Sequence, residues 1–223
     1  MNDKISQILV IAATAGMLVF NWLAATGVLG GVETKVISDK NPTMITPAGY
    51  AFAIWSLIYA GLIAFSIYQS LPRNAGKYGT IRTLFLLSCV LNGAWLYLWA
   101  MESLVLCLIV IALLLVVLLA INSRLRTTDG PGEYWLVKAP FGIYAGWVTA
   151  ATLVNLMIVL ASKGSVLATM PAVAASLIFI AAAAGIFVRI IFANHMYPLA
   201  IAWALTAIAV KQSGATLIVA SCA

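Results

Sequence analysis

Charge is what this chain has least of. Asp, Glu, Lys and Arg make up 8% of the 223 residues, while 64% are hydrophobic and the mean hydropathy is +1.09. Soluble globular domains carry about 25% charged residues, so this chain has too little polar surface to coat a globule in water. Histidine occurs once, at His195 beside Asn194, and Cys89, Cys107 and Cys222 stand apart in apolar stretches without a CxxC pair. A metal site would lack its nitrogen and sulfur donors, and the cysteines read as small buried hydrophobes. The acidic residues Asp3, Glu33, Asp39, Glu102, Asp129 and Glu133 fall at span ends or in loops. No carboxylate is left for an intramembrane proton relay, which argues against a proton-coupled pump. There is no GxGxxG, no P-loop and no Ser/His/Asp set. The net charge of +6 comes from basic residues placed singly or in pairs in short loops, not from a stripe that would hold nucleic acid.

Long apolar runs are present instead. Runs of about 20 residues suffice to cross ~30 Å of hydrocarbon. Seven are predicted, over residues 5–30, 47–71, 80–101, 104–123, 134–161, 166–192 and 197–221. The reading is an all-α integral membrane bundle with no soluble domain. The first run exceeds the roughly 7 to 15 residues of a secretory signal core and is read as a retained span. With a cytoplasmic N-terminus, Lys4, Arg73, Lys77, Arg82, Arg124, Arg126, Lys138 and Arg189 lie inside and only Lys35, Lys40 and Lys163 outside. That asymmetry predicts N-in, C-out topology.

Three spans carry tryptophan with polar or aromatic partners at helical spacing: Phe52/Trp55/Tyr59, Asn92/Trp95/Trp99 and Tyr144/Trp147/Ala151/Asn155. Residues at i, i+3 and i+7 share a helix face, and lipid does not require indoles and amides there. At ~1.5 Å per residue, Trp55, Trp95 and Asn155 lie ~9–12 Å below the outer ends of their spans, with Trp147 deeper at ~21 Å. They are expected to line one cavity in the outer half, floored by Trp147 and lidded by the loop 31–46. Trp99, Trp135, Tyr68 and Tyr78 lie near span ends and are assigned to the interfacial aromatic belt. Asn92 and Asn155 fit helix-to-helix hydrogen bonding as well as they fit pocket lining.

The second span opens Thr46-Pro47-Ala48-Gly49-Tyr50-Ala51-Phe52-Ala53-Ile54-Trp55-Ser56-Leu57-Ile58-Tyr59. This resembles the P-x-x-x-F-x-P-V-W-x-x-L-Y signature of the TspO/MBR family, the tryptophan-rich sensory proteins related to the mitochondrial translocator protein. Leu91-Asn92-Gly93-Ala94-Trp95 is similar to the family's L-N-x-x-W, and Trp147-Val148-Thr149-Ala150-Ala151-Thr152-Leu153-Val154-Asn155 to its W-x-x-F-A-T-x-L-N. The resemblance implies a five-helix core over residues 1–162, followed at 163–223 by an appended two-helix hairpin within one membrane domain. It also implies a pocket for porphyrins, sterols and other flat hydrophobic molecules, lined by Phe52, Trp55, Tyr59, Asn92, Trp95, Tyr144, Trp147, Ala151 and Asn155. A porphyrin or haem-like ligand is the expected occupant, and no cofactor is obligatory. The second signature proline is replaced by Ala53-Ile54, and Pro140 stands three residues early in the helix-five block. The family's loop tryptophan has no counterpart in Asn41-Pro42-Thr43-Met44-Ile45-Thr46. A porphyrin-degrading activity that depends on it is therefore not expected, and the chain is read as a receptor or carrier rather than an enzyme.

Two further readings compete for the same residues. A permease would use the cavity as a translocation path, completed by the hairpin. A retinal-binding protein would use Lys211, ~21 Å into the last span; with no intramembrane counter-ion, Lys211 through Gly214 read better as a helix break or a snorkelling position. Gly142 and Gly146 form a GxxxG, which serves either packing of the hairpin or a homodimer.

Overall fold

Without water to satisfy their peptide groups, long apolar segments become helices, because only a helix pairs every N–H and C=O within one segment. The computed structural model describes residues 3–28, 36 and 40–223. Among these, six helical stretches are long and apolar enough to cross a membrane: Asp3–Ala25, Gly49–Ser70, Gly79–Ala100, Leu104–Arg124, Pro131–Ser162 and Pro171–Phe192. The chain is a multi-pass integral membrane protein. Its long helices are α1 (Asp3–Ala25), α2 (Ile54–Ser70), α3 (Gly79–Ala100), α4 (Leu104–Arg124), α5 (Ala139–Ser162), α6 (Pro171–Phe192) and α7 (Met196–Lys211), with a last short helix α8 (Thr216–Cys222). The 3-10 turn Gly49–Ala53 leads into α2. A π turn over Tyr134–Lys138 leads into α5. It stands just before Pro140, where a wider turn accommodates a ring that clashes with the preceding carbonyl.

The predicted seventh span does not run through as one helix. α7 stops at Lys211, and its 16 residues cover ~24 Å, short of the ~30 Å of hydrocarbon. The turn that follows is tied down where Gln212 Nε2 donates to the Thr43 carbonyl at 3.1 Å. Lys211 is exposed at the helix end, as a helix break requires, so the retinal reading, which needs an interior lysine, is withdrawn.

Five helices close a ring in the order α1, α2, α5, α4, α3, each packed on the next. α7 packs along α5 from outside the ring, α6 packs on α7, and α8 caps both. The GxxxG is used here. A Cβ on Gly142 would enter the Asn194 side-chain amide, and one on Gly146 would strike the Tyr197 carbonyl and come within 2.9 Å of Ala200 Cβ. Of the two roles left open for this motif, packing of α7 within the chain is the one the fold uses.

Polar residues knit the end of the bundle that carries the N-terminus. Arg82, counted among loop charges from the sequence, is fully buried. Its guanidinium donates to Gln69 Oε1 (2.8 Å), Asp3 Oδ1 (3.1 Å) and the carbonyls of Gln69, Asn74 and Ala75 (3.2, 3.0 and 2.7 Å). Tyr78, assigned to the aromatic belt, is 2% exposed and donates to Glu133 at 2.7 Å; the partner carboxylate draws it inward. Trp135 is 59% exposed, as a belt residue should be.

Candidate functional site

The aromatic faces meet near the end of the bundle opposite the N-terminus. One chamber, about 50 Å³, lies among the segment before α2, α2 itself, α3, α5 and α7. Phe52, Trp55, Trp95, Trp99, Trp147 and Ala151 form most of its wall, Asn155 supplies an amide, and Ala204 and Ile208 close the α7 side. A second chamber of about 400 Å³ lies between α1, α2 and α3, walled by Asn21, Trp22, Ser56, Tyr59 and Leu96. Phe52, Trp55 and Trp95 border both, so these three rings are the partition. The larger chamber falls within the roughly 300–1,000 Å³ range of small-molecule sites; the smaller, as it stands, holds only a few waters.

Helical spacing explains the convergence. Trp95 and Trp99, Trp147 and Ala151, and Ala204 and Ile208 are i, i+4 pairs that each present one row to the cavity. The rings lock one another. Phe52 meets Trp147 edge-on at 5.9 Å between centroids, Trp55 stacks on Tyr59 at 5.5 Å, and Trp95 stacks on Trp99 at 5.8 Å. Such contacts are worth ~0.5–1.5 kcal/mol beyond area burial.

The predicted residues divide into three groups. Phe52, Trp55, Trp95, Trp147, Ala151 and Asn155 line the smaller chamber, and Tyr59 lines the larger. Asn92 and Tyr144 line neither; they stand behind the wall, fully buried, with the Tyr144 ring 5.9 Å from that of Trp55. Asn92 acts between helices. Asn21 Nδ2 donates to Asn92 Oδ1 at 2.7 Å and to the Met17 carbonyl at 2.8 Å, while Asn21 Oδ1 accepts the Tyr59 hydroxyl at 2.7 Å. Asn155 donates to Ala151 of its own helix at 2.9 Å and faces the cavity.

Trp99 overturns its assignment to the belt. It is 4% exposed and lines the smaller chamber, because the i+4 register puts it on the row of Trp95, not on the lipid side. Sequence reasoning also missed Asn21 and the α7 residues. Asn21 had a signal: Gln7, Thr14 and Asn21 recur every seven residues on α1, and each makes an interhelical bond, Gln7 to the Gln69 carbonyl and Thr14 to Ser66. Ala204 and Ile208 had none, being ordinary apolar residues in an apolar helix. Of the loop expected as a lid, residues 36 and 40–46 are described: Thr43 and Thr46 pair their hydroxyls at 3.0 Å, and Pro47 reaches the chamber. Residues 31–35 and 37–39 lie outside the described residues.

One polar feature stands out in this apolar wall. Among the described residues, Trp95 Nε1 is buried without a hydrogen-bond partner. A buried donor left unmade costs ~1–3 kcal/mol. No charged side chain and, among the described residues, no cluster of His, Cys, Asp or Glu suited to a metal accompanies it.

Searches of curated proteins and of solved structures return no match to this chain. The model of a family described as TSPO-like protein matches residues 7–223, spanning α7 and α8 as well as the ring, and the chain therefore belongs to the TSPO-like family.

Proposed function

We propose that this protein is a membrane receptor or carrier for small flat hydrophobic molecules, of the porphyrin or sterol kind, bound at the tryptophan partition. The observation that carries the reading is Trp95: an indole 6% exposed, bordering both chambers and stacked on Trp99 among further aromatic rings. A pocket walled by aromatic faces with a few polar groups, Asn155 among them, holds a flat ligand by stacking on its faces. Family membership supports ligand binding in general. By the excess of basic residues at the N-terminal end, the cavity end faces outside. The role is binding without turnover, and light-dependent loss of a bound porphyrin's Soret band on the protein would overturn that part.

The test is quenching of tryptophan fluorescence by protoporphyrin IX in detergent. Trp55→Ala and Trp147→Ala are expected to weaken binding about tenfold or more, the equivalent of ~1.4 kcal/mol for a lost aromatic face. Trp135→Ala, exposed at the opposite end of the bundle, serves as control. Unchanged affinity in both cavity variants would refute the assignment.

A further inference from the structure

α2 and α5 approach closely at Gly61. A Cβ on Gly61 would lie 2.8 Å from Pro140 Cβ and 3.3 Å from its Cα, so the backbones touch there. Toward the cavity the seam between them is bridged by side chains, Phe52 against Trp147, and then by the smaller chamber. α7 lies over that seam and is fastened on both sides. On the α5 side, Gly146 abuts the Tyr197 carbonyl, the Thr149 and Tyr197 hydroxyls pair, and Asn194 Nδ2 donates to Asn122 Oδ1 at 2.8 Å and to the Lys138 carbonyl at 2.9 Å. On the α2 side, Trp203 Nε1 donates to the Ala51 carbonyl at 3.0 Å, Tyr50 packs edge-on against the Trp203 ring, and the Ala48 N–H donates to the Ala207 carbonyl at 2.9 Å. Residues 203 and 207 form the fastening row. Ala204 and Ile208, the next row around the helix, face the chamber.

We infer that α7 makes the chamber size-selective, with Ala204 and Ile208 as its specificity-determining residues. This rests on the binding reading above and adds to it which wall decides the size of the ligand. On the α2 and α3 sides the walls are large rings fixed by mutual packing, and α5, which adds Ala150, Ala151 and Val154 beside Trp147, is held between α2 and α4 within the ring, so these walls have little room to give. The α7 wall is one methyl group and one branched aliphatic chain. A chamber of about 50 Å³ does not admit a macrocycle as it stands, so the position of this wall governs how far a ligand passes the partition.

The test compares two probes in detergent: protoporphyrin IX, a macrocycle, by quenching, and anthracene, three rings wide, by energy transfer from tryptophan. Ile208→Ala is expected to shift the ratio of the two dissociation constants about tenfold in favour of the porphyrin, and Ala204→Phe about tenfold against it, the scale of discrimination that a few buried carbons provide. Ala202→Phe, on the exposed face of α7, should leave the ratio at the wild-type value. Circular dichroism and monodisperse elution check that each variant is folded; if Ala204→Phe is not, Ile208→Ala decides alone. A ratio within about twofold of wild type in the folded cavity variants overturns the inference. If instead Trp147→Ala leaves both probes bound as in wild type, the binding reading itself has failed.

Discussion

Gly146→Ala is expected to loosen α7 from α5, and its magnitude follows from the packing. The new Cβ would run into the Tyr197 carbonyl, a backbone atom that cannot rotate away, and would sit 2.9 Å from Ala200 Cβ. The helices must separate, at ~1–3 kcal/mol for overpacking. The separation also stretches the buried Thr149–Tyr197 hydrogen bond, worth ~0.6 kcal/mol on average between membrane helices. The sum is about 2–4 kcal/mol. Gly16→Ala is the matched control: it is also mid-helix, but a Cβ there has no atom within 4 Å. It should be neutral or stabilise by ~0.5–1 kcal/mol, the ordinary gain from removing a helical glycine. The assay is the SDS mole fraction at which helicity is lost in mixed micelles, with porphyrin affinity measured alongside because α7 walls the chamber. If both alanines shift the midpoint in the same direction by similar amounts, the close approach at Gly146 is not what holds α7.

Two predictions concern the opposite end of the bundle. Arg82→Ala should cost about 3–5 kcal/mol in the same titration, since it leaves buried carbonyls at Gln69, Asn74 and Ala75 short of a donor; a cost below about 1 kcal/mol would show that the guanidinium is dispensable. Lys77 bonds Asp129 at 2.6 Å and Glu133 at 2.8 Å, and although burial lowers its pKa, these partners raise it above the ordinary 10.5. A raised lysine pKa means its stabilisation is fully present below 10.5 and is lost as pH climbs through the higher folded value. Lys77→Met should therefore flatten the decline in SDS resistance at alkaline pH, and an unchanged decline would exclude Lys77 as its source.

The span pattern was legible because it follows from the length and period of the apolar runs, but the depth of Trp147 was not: expected below Trp55 as a floor, it meets Phe52, three residues ahead of Trp55, because α5 is offset along its axis relative to α2. Trp99 was misread because position near a span end and orientation around the helix are separate variables, and only neighbouring helices settle the second. Tyr78 and Arg82 were taken for boundary residues for the same reason: their burial depends on Glu133, Gln69 and Asp3, which lie far away in the chain. The α7 wall was invisible because alanine and isoleucine carry no chemical label. The split of the last span, by contrast, was signalled by the polar run from Lys211 to Gly214.

The staple from Trp203 to Ala51 joins residues 152 positions apart. In time rather than in space, this means that the pocket is finished last. At about 5–20 residues per second, synthesis takes on the order of ten seconds to pass from Ala51 to Trp203. During that interval the tryptophans of α2, α3 and α5 border a seam that nothing yet covers. Closure of the smaller chamber thus waits for α7, the helix that brings Ala204 and Ile208 to its wall.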